Sequence, residues 1–285
     1  MTATRSVAAL AGTLLFLALA AFAATAAARP TAAPAVTLYA VGDIARCESS
    51  GDEATAVLLR ATRGPIAALG DLVYPDGTED DFRRCFDPSW GPLASRLRPA
   101  LGNHEYESGT ADAAIARFHL PRNGWYSYRL GAWHVVVLNS NCARVGGCSR
   151  QSRQWRWLRD DLAANPTRCT LAYWHHPRFS SGLHGSTASM TTLWNLLARA
   201  GADVVLAGHD HHYERLAPVS GIRSFVVGTG GAMPYPVLFT IPGSVVHAAG
   251  IYGVLRLRLR PGGYDWRYLP AGGATFSDAG SGSCH

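Results

Sequence analysis

Five short clusters set carboxylates, an amide and imidazoles at widely separated points of the chain. They read Gly42-Asp43-Ile44-Ala45, Gly70-Asp71-Leu72-Val73-Tyr74, Gly102-Asn103-His104-Glu105, His175-His176-Pro177 and Gly208-His209-Asp210-His211. Carboxylate oxygen and imidazole nitrogen are donors that Fe³⁺, Zn²⁺ and Mn²⁺ take readily. Two such cations, roughly 3.5–4 Å apart, need one bridging carboxylate and terminal ligands for each ion. Asp43, Asp71, Asn103, His175, His209 and His211 are a sufficient set. The chemistry on offer is hydrolytic, because paired cations acidify a shared water and neutralise anionic oxygens.

The clusters follow runs that read as strands. Val36–Val41 precedes Asp43, Pro65–Leu69 precedes Asp71, and Leu97–Leu101 precedes Asn103. Cys169–Trp174 runs into His175, and Asp203–Ala207 into His209. Loops beyond strand ends are where an α/β sheet presents ligands. Gly42, Gly70, Gly102 and Gly208 leave room for the sharp turns. Trp125–Leu130 and Trp133–Leu138, joined at Gly131-Ala132, read as a hairpin. Ser224–Val227 reads as a strand, as does the late pair Ile251–Leu259 and Tyr264–Leu269, turned by Pro261-Gly262-Gly263. Helical spacing falls at Asp52–Arg60, Gln151–Ala164 and Thr187–Ala200. The expected architecture is α/β, with two packed mixed sheets flanked by helices in one domain over 36–285.

The order and spacing of the five clusters resemble those of the calcineurin-like metallophosphoesterases. Tyr74, in the frame Gly-Asp-x-x-Tyr, makes the chain most similar to the purple acid phosphatases. The resemblance implies that Asp43, Asp71, Tyr74 and His211 hold one metal. Asp71 then bridges to a second, held also by Asn103, His175 and His209. His175 is preferred to His176 because the family ligand stands two residues before the proline. A phenolate ligand implies Fe³⁺, since an ordinary phenol ionises only near pH ~10; a divalent Zn²⁺, Mn²⁺ or Fe²⁺ would accompany it. His104 is placed beside the phosphate as proton donor or contact, and His184 resembles a second histidine over the pocket. Glu105 and Tyr213-Glu214-Arg215 are expected behind the ligands, with Arg215 alternatively a phosphate clamp. Asp210 either orients a ligand histidine or faces solvent. His119, His134, His212 and His247 are expected to be structural. Ala45 stands where the family often has glycine, which predicts a small backbone adjustment. No sandwich domain precedes the clusters as in larger plant-type relatives, so a minimal, monomer-capable enzyme is expected.

Residues 1–28 read as an export signal: Arg5, an apolar run from Val7 to Phe22, then Ala26-Ala27-Ala28. A Pro/Ala linker follows at 29–35. The run is close to spanning length, but its small-residue end favours cleavage, so a secreted protein without a stable membrane anchor is expected. In an oxidising compartment Cys47, Cys85, Cys142, Cys148, Cys169 and Cys284 read as disulfides. Cys142 with Cys148 is the easiest pairing; Cys47 with Cys85, or either with Cys284, stays open. The formal charge is +6 and every basic side chain is Arg. Arg150, Arg153, Arg156 and Arg159 read as a solvated helix face, so no nucleic-acid partner is indicated. Small phosphorylated molecules are the expected substrates, as phosphomonoesters. A diesterase on the same fold, acting on cyclic nucleotides or glycerophosphodiesters, is the first rival; a non-catalytic phosphate-binding surface protein is the second. Loops such as Arg144–Arg150 and Met233–Gly243 would set specificity.

Overall fold

The structure, a computed structural model, describes residues 1–3 and 34–285, so the expected export signal and most of the linker lie outside the described residues. In chain order the strands are β1 (Val36–Val41), β2 (Ile66–Leu69), β3 (Leu97–Ala100), β4 (Tyr126–Leu130), β5 (Trp133–Val137), β6 (Cys169–Tyr173) and β7 (Val204–Ala207). They continue as β8 (Tyr213–Leu216), β9 (Arg223–Val227), β10 (Ser244–Ala248), β11 (Gly253–Arg260), β12 (Gly263–Pro270) and β13 (Ala279–Ser283). Two mixed sheets result, ordered β13-β12-β11-β1-β2-β3 and β10-β8-β9-β7-β6-β5-β4. The expected two-sheet architecture is borne out.

The apolar runs form strands because both of their faces are covered. In β1, Leu38 and Ala40 join the core between the sheets, with Leu69, Val135, Leu171 and Leu257. Tyr39 and Val41 point the other way, towards Ala56 and Leu59 of the helix Gly51–Arg60 and towards Phe82, Phe86 and Trp90. The second sheet is covered likewise: Val136, Ala172 and Val205 meet Leu158, Leu193, Trp194 and Leu197. Those side chains come from the helices Arg153–Ala164 and Thr191–Arg199. Ser152 caps the first of these helices by accepting from the Trp155 N–H at 3.1 Å. Arg150, Arg153, Arg156 and Arg159 are exposed, a solvated face as expected. Among the described residues no helix is long and apolar enough to cross a membrane.

All six cysteines are paired: Cys47–Cys85, Cys142–Cys148 and Cys169–Cys284. The open option of Cys284 with Cys47 or Cys85 is therefore corrected. Cys169 begins β6 and Cys284 follows β13, so this bridge ties the two sheets together at one end. The sequence reading also missed β8, β10 and β13.

Strand polarity positions the clusters. β1, β2 and β3 run parallel in one sheet, and β6 and β7 run parallel in the other. Asp43, Asp71, Asn103, His175 and His209 each follow the C-terminal end of one of these strands.

Candidate metal centre

The five strand ends converge. The Tyr74 hydroxyl lies 3.1 Å from Asp43 Oδ1, 3.1 Å from Asp71 Oδ2 and 3.1 Å from His211 Nε2. On the other side of Asp71, His175 Nε2 lies 3.1 Å from Asp71 Oδ2, 3.1 Å from Asn103 Oδ1 and 3.2 Å from His209 Nδ1. Asp71 Oδ2 is thus common to two groups of donors. All seven residues read from the sequence as ligands meet here.

Lone pairs crowd this space. His175 Nδ1 sits 2.8 Å from the Leu69 carbonyl, so that nitrogen carries the proton and donates it. Its Nε2 then faces Asp71 Oδ2, Asn103 Oδ1 and His209 Nδ1. His211 behaves alike: Nδ1 donates to the Met233 carbonyl at 2.6 Å, which leaves Nε2 towards Tyr74 and Asp43. These oxygens and nitrogens converge closely enough to hold a cation once His175 Nε2 and the Tyr74 hydroxyl give up their protons, and the backbone partners fix each ring as metal-binding histidines require.

The titration pattern agrees. Burial opposes charge on His175, but Asp71 and Asp43 outweigh it and push the imidazole up to about 9. Burial would also raise the Asp71 carboxyl; instead His175 and His104 hold it well below the usual carboxylate range. Burial and the neighbouring His175 push His209 down, and the same two causes take His176 to about 3. One proton therefore stands in for positive charge that the site is built to receive. Burial, then Asp71 and Asp43, push the Tyr74 phenol well above its ordinary value.

The backbone is strained where it serves the site. Asp43, Asp71 and His209 take φ of 60°, 50° and 71°, conformations that side-chain-bearing residues seldom hold. Of the four glycines flagged from the sequence, Gly70 has positive φ (85°), while Gly102 is needed for close approach. A Cβ on Gly102 would lie 2.1 Å from Asp71 Oδ1. Ala45 fits without loss: its carbonyl accepts from the Tyr74 N–H at 2.9 Å, and it bridges to Val73.

Buried polar groups hold the ligand loops. Glu105 accepts from the N–H groups of Asp71 (3.0 Å), Leu72 (2.7 Å) and Gly102 (2.7 Å), pinning two strand ends together. Asn141 Nδ2 donates to the carbonyls of Leu101 (3.0 Å) and Gly102 (3.2 Å). Gln154, buried on its helix, exchanges two hydrogen bonds with the Asn139 backbone. No sequence signal marked Asn139, Asn141 or Gln154, since each lies outside the five clusters.

His104 is half-buried at the mouth, its N–H donating to Asp71 Oδ1 at 2.9 Å and its ring centred 4.2 Å from that of Tyr74. His184 is exposed, and its ring centre lies 4.4 Å from that of His209. Asp210 faces neither a ligand ring nor solvent. It is fully buried and accepts from the His184 N–H at 2.8 Å and from the Ser180 hydroxyl. Glu214 accepts from the N–H and hydroxyl of Ser181 at 2.8 and 2.6 Å. Tyr235, unmarked in the sequence, stacks on His211 with ring centres 4.1 Å apart and planes 12° apart. His176 bonds Ser140 through Nδ1 at 2.8 Å, and it is His175 that reaches Asp71 and Asn103. Arg215 pairs with Asp278 at 2.8 and 3.0 Å, so the clamp alternative is discarded. His134 lies against Asp161 (3.0 Å) and His212 against Glu214 (3.3 Å).

A strand-end cleft of this kind defines a class. The family model for calcineurin-like phosphoesterases matches residues 36–213, and the chain belongs to that family. Purple acid phosphatase 15 of Arabidopsis thaliana is 28% identical over 214 residues, covering 58% of this chain and 40% of that protein. An uncharacterized protein of Mycobacterium tuberculosis is 31% identical over 201 residues, 59% of this chain and 37% of that one. The chain thus spans about two fifths of the length of these curated relatives. Among solved structures, the purple acid phosphatase PPD1 of yellow lupin (Lupinus luteus) superposes with a TM-score of 0.76 at 18% identity, covering 87% of this chain and 53% of that one. At that identity the likeness is one of fold.

Proposed function

We propose that the chain is a secreted phosphatase that hydrolyses phosphomonoesters at a pair of cations, Fe³⁺ beside Zn²⁺, Mn²⁺ or Fe²⁺. The observation that carries this reading is the sharing of Asp71 Oδ2, 3.1 Å from both the Tyr74 hydroxyl and His175 Nε2. Asp43, Tyr74, His211 and Asp71 would hold one ion. Asp71, Asn103, His175 and His209 would hold the other. When bound, such a pair acidifies a shared water and neutralises phosphoryl oxygens. Fe³⁺ is assigned to that side because a phenolate from Tyr74 would be one of its ligands, and an ordinary phenol ionises only near pH ~10 without a strong Lewis acid.

The remaining work belongs to side chains. His104, at the mouth and tethered to Asp71 through its N–H, donates the proton that the leaving alkoxide needs, a role worth about 10²–10⁴-fold in other enzymes. His184 stands over His209 and meets the ester from the open side. The export reading is supported by three disulfides, which persist in oxidising compartments. Residues 36–285 would act as one catalytic domain on small phosphorylated substrates.

The test loads the purified chain with iron and zinc and compares 4-nitrophenyl phosphate with bis(4-nitrophenyl) phosphate. Faster turnover of the monoester is expected. Faster turnover of the diester would make this a diesterase, and an inert metal-loaded protein would leave phosphate binding without catalysis.

A further inference from the structure

Beside the metal centre lies a groove of about 320 Å³, within the size range of small-molecule sites. Its walls come from two loops that each also place a ring on the centre. Gly182 and Leu183 lead into His184, whose ring covers His209. Pro236 follows Tyr235, whose ring stacks on His211. Leu238, Phe239 and Ile241 add apolar surface to the lining, opposite Gly185 and Ser186 on the first loop. Leu183, Leu238 and Phe239 are 62%, 67% and 84% exposed, an apolar surface held open to water next to a polar cleft.

The groove is built rather than left between loose loops. Ser181 Oγ donates to Glu214 Oε1 at 2.6 Å and accepts from the Ile241 N–H at 3.0 Å, so one hydroxyl ties both walls to a buried carboxylate. Ser180 is turned beneath to Asp210. These two hydroxyls are engaged, and that of Ser186 accepts from the Ser180 N–H at 3.2 Å, so few polar groups of the lining are free. None of the residues lining it is charged. Beneath Ser180 and Ser181 lie the carboxylates of Asp210 and Glu214, so the lining offers no cationic side chain to an anionic organic group.

From this we infer that the groove receives the alcohol portion of the substrate, and that this portion is neutral and apolar, a phosphate ester of a lipophilic phenol or alcohol rather than of a nucleotide or phosphorylated sugar. The inference rests on the phosphomonoesterase reading and names its substrate class. With phosphorus held between the two donor groups, an ester oxygen leaving past His184 and Tyr235 carries its organic group into the groove.

The test uses metal-loaded protein and the series phenyl, 4-ethylphenyl and 4-butylphenyl phosphate, whose leaving groups have nearly equal basicity. kcat/KM is expected to rise about two- to fourfold per added methylene, and the rise should flatten in Leu238→Ser/Phe239→Ser. In parallel, calorimetry compares 4-butylphenylphosphonate with phenylphosphonate, which bind without turnover. Tighter binding of the butyl compound to wild type, lost in the double variant, is expected. Turnover of phenyl phosphate with no gradient, or a gradient that survives the double variant, would overturn the groove while leaving the phosphatase. Faster hydrolysis of a nucleoside 5′-monophosphate than of 4-butylphenyl phosphate would overturn it as well. If no ester is hydrolysed the phosphatase reading fails, and equal binding of the two phosphonates would then remove the groove too.

Discussion

The floor of the cleft and its rim are made differently. Floor residues Asp43, Asp71, His175 and His211 are buried, sit directly beyond strand ends, and are tied to neighbouring backbone by short hydrogen bonds. The rim residues His184, Tyr235 and Phe239 ride on loops and are open to solvent in varying degree; beneath them Asp210 accepts from the His184 N–H and Glu214 from Ser181. In the floor the sheet dictates where a donor points, so the same few residue types suffice. In the rim, loop packing dictates it, and side-chain identity is free to follow the substrate. On the proposed reading, metal binding belongs to the floor, and proton transfer and selectivity belong to the mouth and rim.

Removing the shared carboxylate should break the floor outright. Asp71→Ala takes away the one oxygen common to both donor groups, and is expected to abolish metal retention and turnover together while leaving far-ultraviolet circular dichroism unchanged. Metal analysis beside an activity assay reads this out; near wild-type turnover would sink the floor's assignment. Glu105→Gln acts one step back. The variant keeps the side-chain volume but weakens acceptance from three N–H groups, and should cost about 10–100-fold in metal affinity, the range for groups that orient ligands. An unaltered affinity would make Glu105 a packing residue only.

The rim should answer to acid instead. Burial would raise the carboxyl of Glu214, but His212 and the Ser181 hydroxyl and N–H overcome it and hold the group at about 2 against an ordinary 4.5. A depressed folded-state value stabilises fully above the unfolded value, and that stabilisation drains as pH falls from about 4.5 to about 2. Glu214→Gln should therefore cost on the order of 3 kcal/mol at neutral pH, with the two proteins converging near the lower end of that window. Urea titrations across that range would measure it; a constant difference would mean that ionisation of Glu214 is not the source.

The same division explains what the sequence disclosed. Short apolar runs ending in Gly-Asp, Gly-Asn or Gly-His announce a floor, because strand, turn and donor are contiguous. β1, β2, β3, β6 and β7 were legible for that reason. β13 was not: Ala-Gly-Ser-Gly-Ser has no strand propensity. Its glycines are explained by the partner strand, since a Cβ on Gly280 would lie 2.3 Å from the Trp266 ring and one on Gly282 2.5 Å from the Tyr264 ring. Asp210 was ambiguous between ligand histidines because its partners, Ser180 and His184, lie about thirty residues away. Tyr235 carried no pattern at all, and its stacking on His211 exists only in three dimensions.

Binding of two cations around the Asp71 carboxylate is the claim on which the rest depends. Metal content of the purified chain, taken with its visible spectrum before and after Tyr74→Phe, addresses it most directly. The expected result is a pair of ions per chain, one of them iron, with a visible absorption band that the phenylalanine variant loses. A chain that retains at most a single ion, with a spectrum indifferent to Tyr74, would contradict it.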